Sequence, residues 1–363
     1  MNTIQCKRAL YIAVLFFGLL FGKNVSAQLQ PAVADSFLNF IKSNKARSSV
    51  YITKNDTIVA FLNENMFMPL ASTFKILVAV EFAKQASSGI VDKNGYIPLS
   101  ELDKYYLPNT DGNAHPSWID YERKNNHIKK DSVRLIDIAR GMIMFSSNAN
   151  AEYLMDTLGW GNVNSNIRLF GLRVHSSMYP PVASLLMFQN PKNKKEKDIL
   201  KDVNSFSELK YARQAYLLHL QLKHSSIFKA SFRPEDLTMT MQKAWSDRLP
   251  SSTTKDYVHL ANILNNRKFL SDTAYKLIEQ VLEFPMENKN FQAVFKHYGV
   301  KGGNTSFVLT HVIYLRTKSN TNIELAIFFN NLSPEEEKKL AAWLDPFEAQ
   351  VIFDRAFRDR LRF

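Results

Sequence analysis

The stretch "PLASTFKILVAVEFAKQ", Pro69 to Gln85, decides how this chain is read. Phe74, Leu77, Val78 and Phe82 recur at helical spacing, so the stretch predicts a helix of about four turns. "QASSG" ends it, with Gly89 placed to cap the C-terminus. Ser72 and Lys75 lie three positions apart at its start, on one helical face. The pair alone means little, because Ser-x-x-Lys also occurs at Ser207/Lys210, Ser226/Lys229 and Ser252/Lys255. Its surroundings must carry the reading.

Upstream, "SSVYITK" and "DTIVAFLN" read as two strands around the turn residues Asn55-Asp56. A short helix, "ADSFLNFIKSN", precedes them. Downstream, Val91 to Lys130 is polar and turn-rich and reads as a surface excursion; its aromatic "HPSWIDYE" reads as a packed loop. "DSVRLIDIARGMIMF" is an amphipathic helix with Leu135, Ile138, Met142 and Phe145 in step. Further helices are expected around 150–158, 207–222, 253–265 and 271–284, with Thr253 or Thr254 as an N-cap. The pattern then changes. "AVFKHYGVKGG", "SFVLTHVIYLRT" and "IELAIFFNNL" are strand-like, the last two joined by the turn "KSNTN". A closing helix begins at Ser333, with Pro334 at its first position and Glu336 three on from the cap.

Strands at both chain ends and helices between predict an α+β fold. A five-stranded antiparallel sheet would come from segments 28–65 and 251–363, covered by the terminal helices. An inserted helical lobe would span 66–250. Segment 1–27 has the layout of a secretory signal peptide: Lys7 and Arg8, then the apolar "ALYIAVLFFGLLFG", then "VSA". An uncleaved anchor is the alternative, but the apolar run is shorter than the about 20 residues of a comfortable span. No later stretch is apolar enough to cross a bilayer.

The single cysteine, Cys6, lies before the apolar run, so the mature chain would have no disulfide, thiolate metal site or cysteine nucleophile. Segment 1–27 carries three bases and no acid, so +9 of the formal charge of +12 stays with the remaining 336 residues. That excess favours polyanionic envelope surfaces or is simply solvated. The densest basic run, "NPKNKKEKD", lacks interleaved aromatics, which argues against nucleic-acid binding. The eight histidines show no metal-ligand spacing, and no glycine-rich phosphate loop exists. No metal or cofactor is expected, and the expected state is a monomer.

Three fragments then fall in order: Ser72-x-x-Lys75, Ser146-Ser147-Asn148 and Lys301-Gly302-Gly303. Together they resemble the penicillin-recognising serine hydrolases, most closely the class A β-lactamases, over most of the mature chain. The resemblance implies an acyl-enzyme on Ser72 formed from a β-lactam or an acyl-peptide. A serine hydroxyl needs a neighbour to take its proton. Lys75 can do so only if burial and a second positive charge, for which Lys301 is the candidate, lower its pKa. Ser146 would relay a proton between the lysines and the leaving nitrogen. Asn148 would hold the lysine and the substrate amide. The Ser72 backbone N–H would be one oxyanion donor; by resemblance the Asn304 N–H is the second. Gly303 reads as a simple bend, or as a place where a side chain would block the substrate.

Three departures stand out. Ser147 replaces the acid of the second motif, which is discounted as structural. Gly302 replaces a hydroxyl residue that helps bind the substrate carboxylate, a task left to Thr305 or Ser306. Most seriously, "GLRVHSSMYPPVASLLMFQNP", Gly171 to Pro191, contains no acid where class A enzymes carry the deacylating glutamate. Glu196, Glu208 or Glu235 would have to reach in. The alternatives are a penicillin-binding D-alanyl peptidase or esterase, or a non-catalytic envelope-binding module.

Overall fold

The computed structural model describes residues 30–189 and 194–363. The signal-peptide expectation for 1–27 falls outside them. Helix α1 spans Pro31–Ser43. Strands β1, Ser48–Lys54, and β2, Thr57–Leu62, follow as a hairpin. Asn55 and Asp56 both have positive φ, 48° and 61°, which matches the twist of a tight hairpin. After β2 the chain enters the helical region. It comprises α2, Lys75–Ser87, α3, Ala114–Lys124, α4, Leu135–Met144, α5, Asn148–Leu158, and α6, Trp160–Leu169. The one-turn α7, Pro181–Ser184, then α8, Glu208–His224, and α9, Met239–Asp247, follow, with further helices at Glu196–Asn204 and Ser226–Ala230 among them. Helices α10, Thr254–Asn266, and α11, Asp272–Leu282, lead back to the sheet. Strands β3, Phe295–Thr305, β4, Val308–Thr317, and β5, Asn322–Phe329, complete it. Helices α12, Pro334–Phe353, and α13, Arg355–Asp359, close the chain.

The sheet is five-stranded and antiparallel throughout, in the order β2-β1-β5-β4-β3. The strands from the two chain ends therefore meet at the β1–β5 pair, as expected. Both faces of the central strands are buried, and successive side chains serve different cores. On β5, Ile323, Leu325, Ile327 and Phe329 pack against α1 and α12, while Ala326 and Phe328 face the helical side. A third cluster, built around Tyr211, Ala215 and Met241, belongs to the segment after α7. The closing helix starts with the capping box foreseen from Ser333 and Glu336. Thr253 caps α10 by accepting from Asp256 N, 3.1 Å.

The surface excursion expected over 91–130 is instead folded into the helical layer. Tyr96–Pro98 pairs with Ser132–Arg134, and "AHPSWIDYERK" is a helix. Its inward stripe is His115, Trp118 and Glu122, all buried. Polar members hid the periodicity, and they are tolerated because they are hydrogen-bonded: Trp118 Nε1 donates to Glu122 Oε1 at 2.9 Å. Helices α6 and α9 were likewise not legible as apolar stripes. Among the described residues no helix is long and apolar enough to cross a membrane.

Candidate active site

The three motifs meet where β3, an edge strand, passes the start of α2. Ser72 sits not in α2 but in a tight 3₁₀ turn, Ala71–Phe74, that feeds it. Ala71 has φ +45° and Ser146 φ +63°, both in the left-handed region that non-glycine residues rarely adopt. Such backbone costs of order 1–3 kcal/mol and persists where the surroundings impose it. Here both residues flank the chemistry: one precedes the candidate nucleophile, the other carries the candidate relay.

Gly303 explains how the strand comes so close. A Cβ built there would lie 2.3 Å from Ser72 N, 2.9 Å from Leu70 O and 2.9 Å from Thr310 Oγ1. It is therefore no simple bend, although it also lines the candidate active-site cleft. It is the point of backbone contact between β3 and the turn that carries Ser72. Thr310 on β4 reinforces that contact by donating to Leu70 O at 2.8 Å.

Lys75 is fully buried. Its ammonium donates to Ser146 O at 2.6 Å and Asn148 Oδ1 at 2.7 Å, and lies 3.4 Å from Ser146 Oγ. Lys301, buried on β3, donates to the same Ser146 Oγ at 3.0 Å and to Gly302 O at 2.7 Å. Residues 75, 146, 148 and 301 are thus one hydrogen-bonded constellation, and Ser72 lines the same cleft. Burial, and then the charge of Lys301, hold the Lys75 ammonium well below its ordinary value. Burial brings Lys301 down to about 7. Asp111 and Glu152 oppose the shift at Lys75. In the Asp111 carboxyl itself, which burial pushes up, Oδ2 accepts from His115 N at 3.0 Å and Oδ1 has no partner among the described residues.

Ser147 is buried and caps α5, accepting from Asn150 N at 3.2 Å and donating to Asn150 Oδ1 at 3.0 Å. A hydroxyl therefore does the local structural work at this position. Asn304 is held from the other face of the sheet, where its amide donates to Glu337 Oε1 at 2.8 Å. The Thr305 hydroxyl accepts from Phe307 N at 3.1 Å and from Ser246, so it is already engaged. Behind Gly302 lies the His311 ring, 3.2 Å from where a Cβ would be.

These groups open onto a cleft of ≈ 680 Å³. Ser72, Ser146, Asn148 and residues 301–306 form one side. From the described part of the stretch 171–191 come only Pro181, Val182 and Leu185, an apolar wall. Two acids line the cleft among the described residues, Asp111 and the exposed Glu235; Glu196 and Glu208 do not. Of the three acids weighed from the sequence, Glu235 thus reaches the cleft; Asp111 carried no sequence signal, since it lies in a turn-rich segment that reads as solvated. The segment after α7 adds Leu237, Trp245 and Leu249 to the wall, which gives the insert a place in the site. Away from the cleft, Glu122, His127 and Asp137 converge although nothing in their spacing announces it. Trp118, His127 and Arg134 already bond the two carboxylates.

The β-lactamase enzyme family matches residues 32–343 of the chain. No curated protein matches it significantly. Among solved structures, a class A β-lactamase of Bacteroides cellulosilyticus DSM 14838 is 13% identical, with 88% of this chain and 97% of that one covered at a TM-score of 0.51. A β-lactamase of Sphaerobacter thermophilus DSM 20745 is 15% identical, with 89% and 96% covered at 0.53. A class A β-lactamase of Mycobacterium abscessus is 13% identical, with 88% and 99% covered at 0.51. Identities this low speak for a common fold, and the family match over most of the length goes further: the chain belongs to the β-lactamase enzyme family and is a serine hydrolase of that type.

Proposed function

We propose that this chain is an exported hydrolase, periplasmic or secreted, in which Ser72 attacks a β-lactam carbonyl and the acyl-enzyme is released slowly. The observation that carries this is the convergence of Lys75 and Lys301 on Ser146 Oγ in the cleft that Ser72 lines. Lys75, whose ammonium burial and the Lys301 charge hold well below its ordinary value, takes the Ser72 proton in its neutral form as the Oγ–C bond forms. The lactam C–N bond then breaks, and the nitrogen receives a proton through the Ser146 hydroxyl, re-supplied from Lys301. Asn148 fixes the Lys75 ammonium and offers its amide to the substrate. Slow release is supported by the apolar wall at Pro181, Val182 and Leu185, which carries no acid where a hydrolytic water would need a base; the two acids of the cleft, Asp111 and Glu235, come from other segments.

Intact mass after incubation with a penicillin tests this reading. One adduct is expected on the wild type, persisting for minutes or longer, and none on Ser72→Ala. No adduct on the wild type, or one surviving Ser72→Ala, overturns the acyl-enzyme; rapid nitrocefin turnover overturns the slow release.

The same wall favours a second reading, a D-alanyl peptidase or esterase using the same serine. Gly302, which brings no hydroxyl, points the same way. Nitrocefin, a D-Ala-D-Ala peptide and a nitrophenyl ester assayed side by side separate the two.

A further inference from the structure

At the far edge of the sheet from the cleft, about 19 Å away at ordinary strand spacing, a second concavity is built from cations. It measures ≈ 420 Å³ and is lined by Lys54, Arg355, Arg358 and Arg362, with Ile58, Val59 and Leu361 as an apolar floor and lip. Lys54 ends β1, Arg355 and Arg358 stand one turn apart on α13, and Arg362 follows that helix. Like charges one turn apart are destabilising. Here they are also left uncompensated. Lys54, Arg355 and Arg362 make no side-chain hydrogen bond or ion pair among the described residues, and nor does Asp359, the one acid of the lining. Arg358 is pinned: it donates to Val351 O at 2.9 Å and Ile352 O at 3.1 Å, the free carbonyls at the end of α12. Burial and the charges of Arg358 and Arg355 hold the Lys54 ammonium below its ordinary value, so these groups feel one another.

We propose that this groove is a binding site for a phosphate-bearing anion, gripped by the three guanidinium groups and Lys54. Guanidinium forks match phosphate oxygens in pairs, and Arg358 is already oriented by the helix end. A bound phosphate offsets the repulsion that the empty groove carries. Ile58, more than half exposed at the lip, suits a phosphate that arrives on an amphiphile as well as one that is free.

The test uses two arms at low ionic strength: calorimetry with pyrophosphate, and sedimentation with vesicles of phosphatidylglycerol in phosphatidylcholine against phosphatidylcholine alone. Binding in either arm is expected, weakening with salt. Arg355→Glu with Arg362→Glu should weaken it by at least about tenfold, the loss of roughly one charge-assisted contact. Arg355→Gln with Arg362→Gln should give a smaller loss. Lys197→Glu with Lys201→Glu, an equal charge change elsewhere, should leave binding within about twofold if contact rather than net charge matters. Penicillin acylation should be unchanged in all three. Binding only of pyrophosphate identifies a free anion, and binding only of vesicles a headgroup. No binding in either arm, or equal losses in the groove and remote variants, overturns the proposal.

Discussion

Lys75 and Lys301, 226 positions apart in the chain, both reach the hydroxyl of Ser146, at 3.4 and 3.0 Å. Two buried ammonium groups on one oxygen cannot both stay charged cheaply, and the charge of Lys301, after burial, weakens the hold of Lys75 on its proton. Lys301→Met should therefore act in two ways. It removes the donor to Ser146, and it lets the Lys75 pKa rise. The acid limb of the acylation rate should move to higher pH, with a fall of about 10²–10⁴ at neutral pH. Pre-steady-state acylation followed across pH checks this; an unmoved limb refutes the electrostatic coupling.

Asp111 should work in the opposite direction. Its charge stabilises the Lys75 ammonium. Asp111→Asn keeps the shape and removes that charge, so the acid limb should move to lower pH. Comparing the single variants with the double variant Asp111→Asn/Lys301→Met gives the coupling, which is expected to be non-additive because both act on one amine.

Gly303→Ala should be severe for a methyl group. The new carbon would meet Ser72 N and Leu70 O, which are backbone and cannot rotate away. Overpacking of this kind costs about 1–3 kcal/mol. Because the strain falls on the turn that holds Ser72, acylation should drop by more than the loss of stability explains. Thermal unfolding and acylation rates measured on the same preparation separate the two. Gly302→Ala, whose Cβ meets only the His311 ring at 3.2 Å and ordinary contacts beyond, should be milder.

His219 ties the segment after α7 to α5. Its Nδ1 lies 3.1 Å from Glu152 and its Nε2 3.0 Å from Asp156, with the ring almost wholly buried. Burial pushes the imidazole down, but the hydrogen bonds to Asp156 and Glu152 outweigh it and hold it up at about 9. A raised folded-state pKa stabilises fully below the unfolded value, near 6.5, and that stability is lost as pH rises through about 9. Asp156 behaves the other way. Burial raises it, yet the bonds from His219 and Lys223 hold it below its ordinary value, so its contribution fades in acid. Urea midpoints for the wild type should fall between pH 7 and 10, by of order 3 kcal/mol in stability. His219→Gln should abolish most of that slope and shift the α7 wall, because Glu152 also accepts from Val182 N at 3.0 Å.

Much of the architecture was written in local chemistry. The hairpin at Asn55-Asp56, the β4 and β5 strands, the Ser333 capping box and the order of the three motifs all depend on residues within a few positions of one another. Such signals need no tertiary partner, so the chain shows them. The same holds for the absence of an acid between Gly171 and Pro191, which left the wall apolar as the residue types required.

Only the folded structure decided the rest. Helix α3 buries a stripe of His115, Trp118 and Glu122 that looks polar until its hydrogen bonds are known. Asp111 and Glu235 line the cleft because distant segments fold over it. Gly303 is required by a backbone contact with residue 72, more than 200 positions earlier. The cationic groove joins Lys54 to the arginines after α12 only because the C-terminal helix packs beside the β1–β2 end of the sheet. Residue types and local spacing named the chemical groups. Which of them are buried, and which charges face one another, depended on long-range packing, and that packing is what holds the Lys75 ammonium well below its ordinary value.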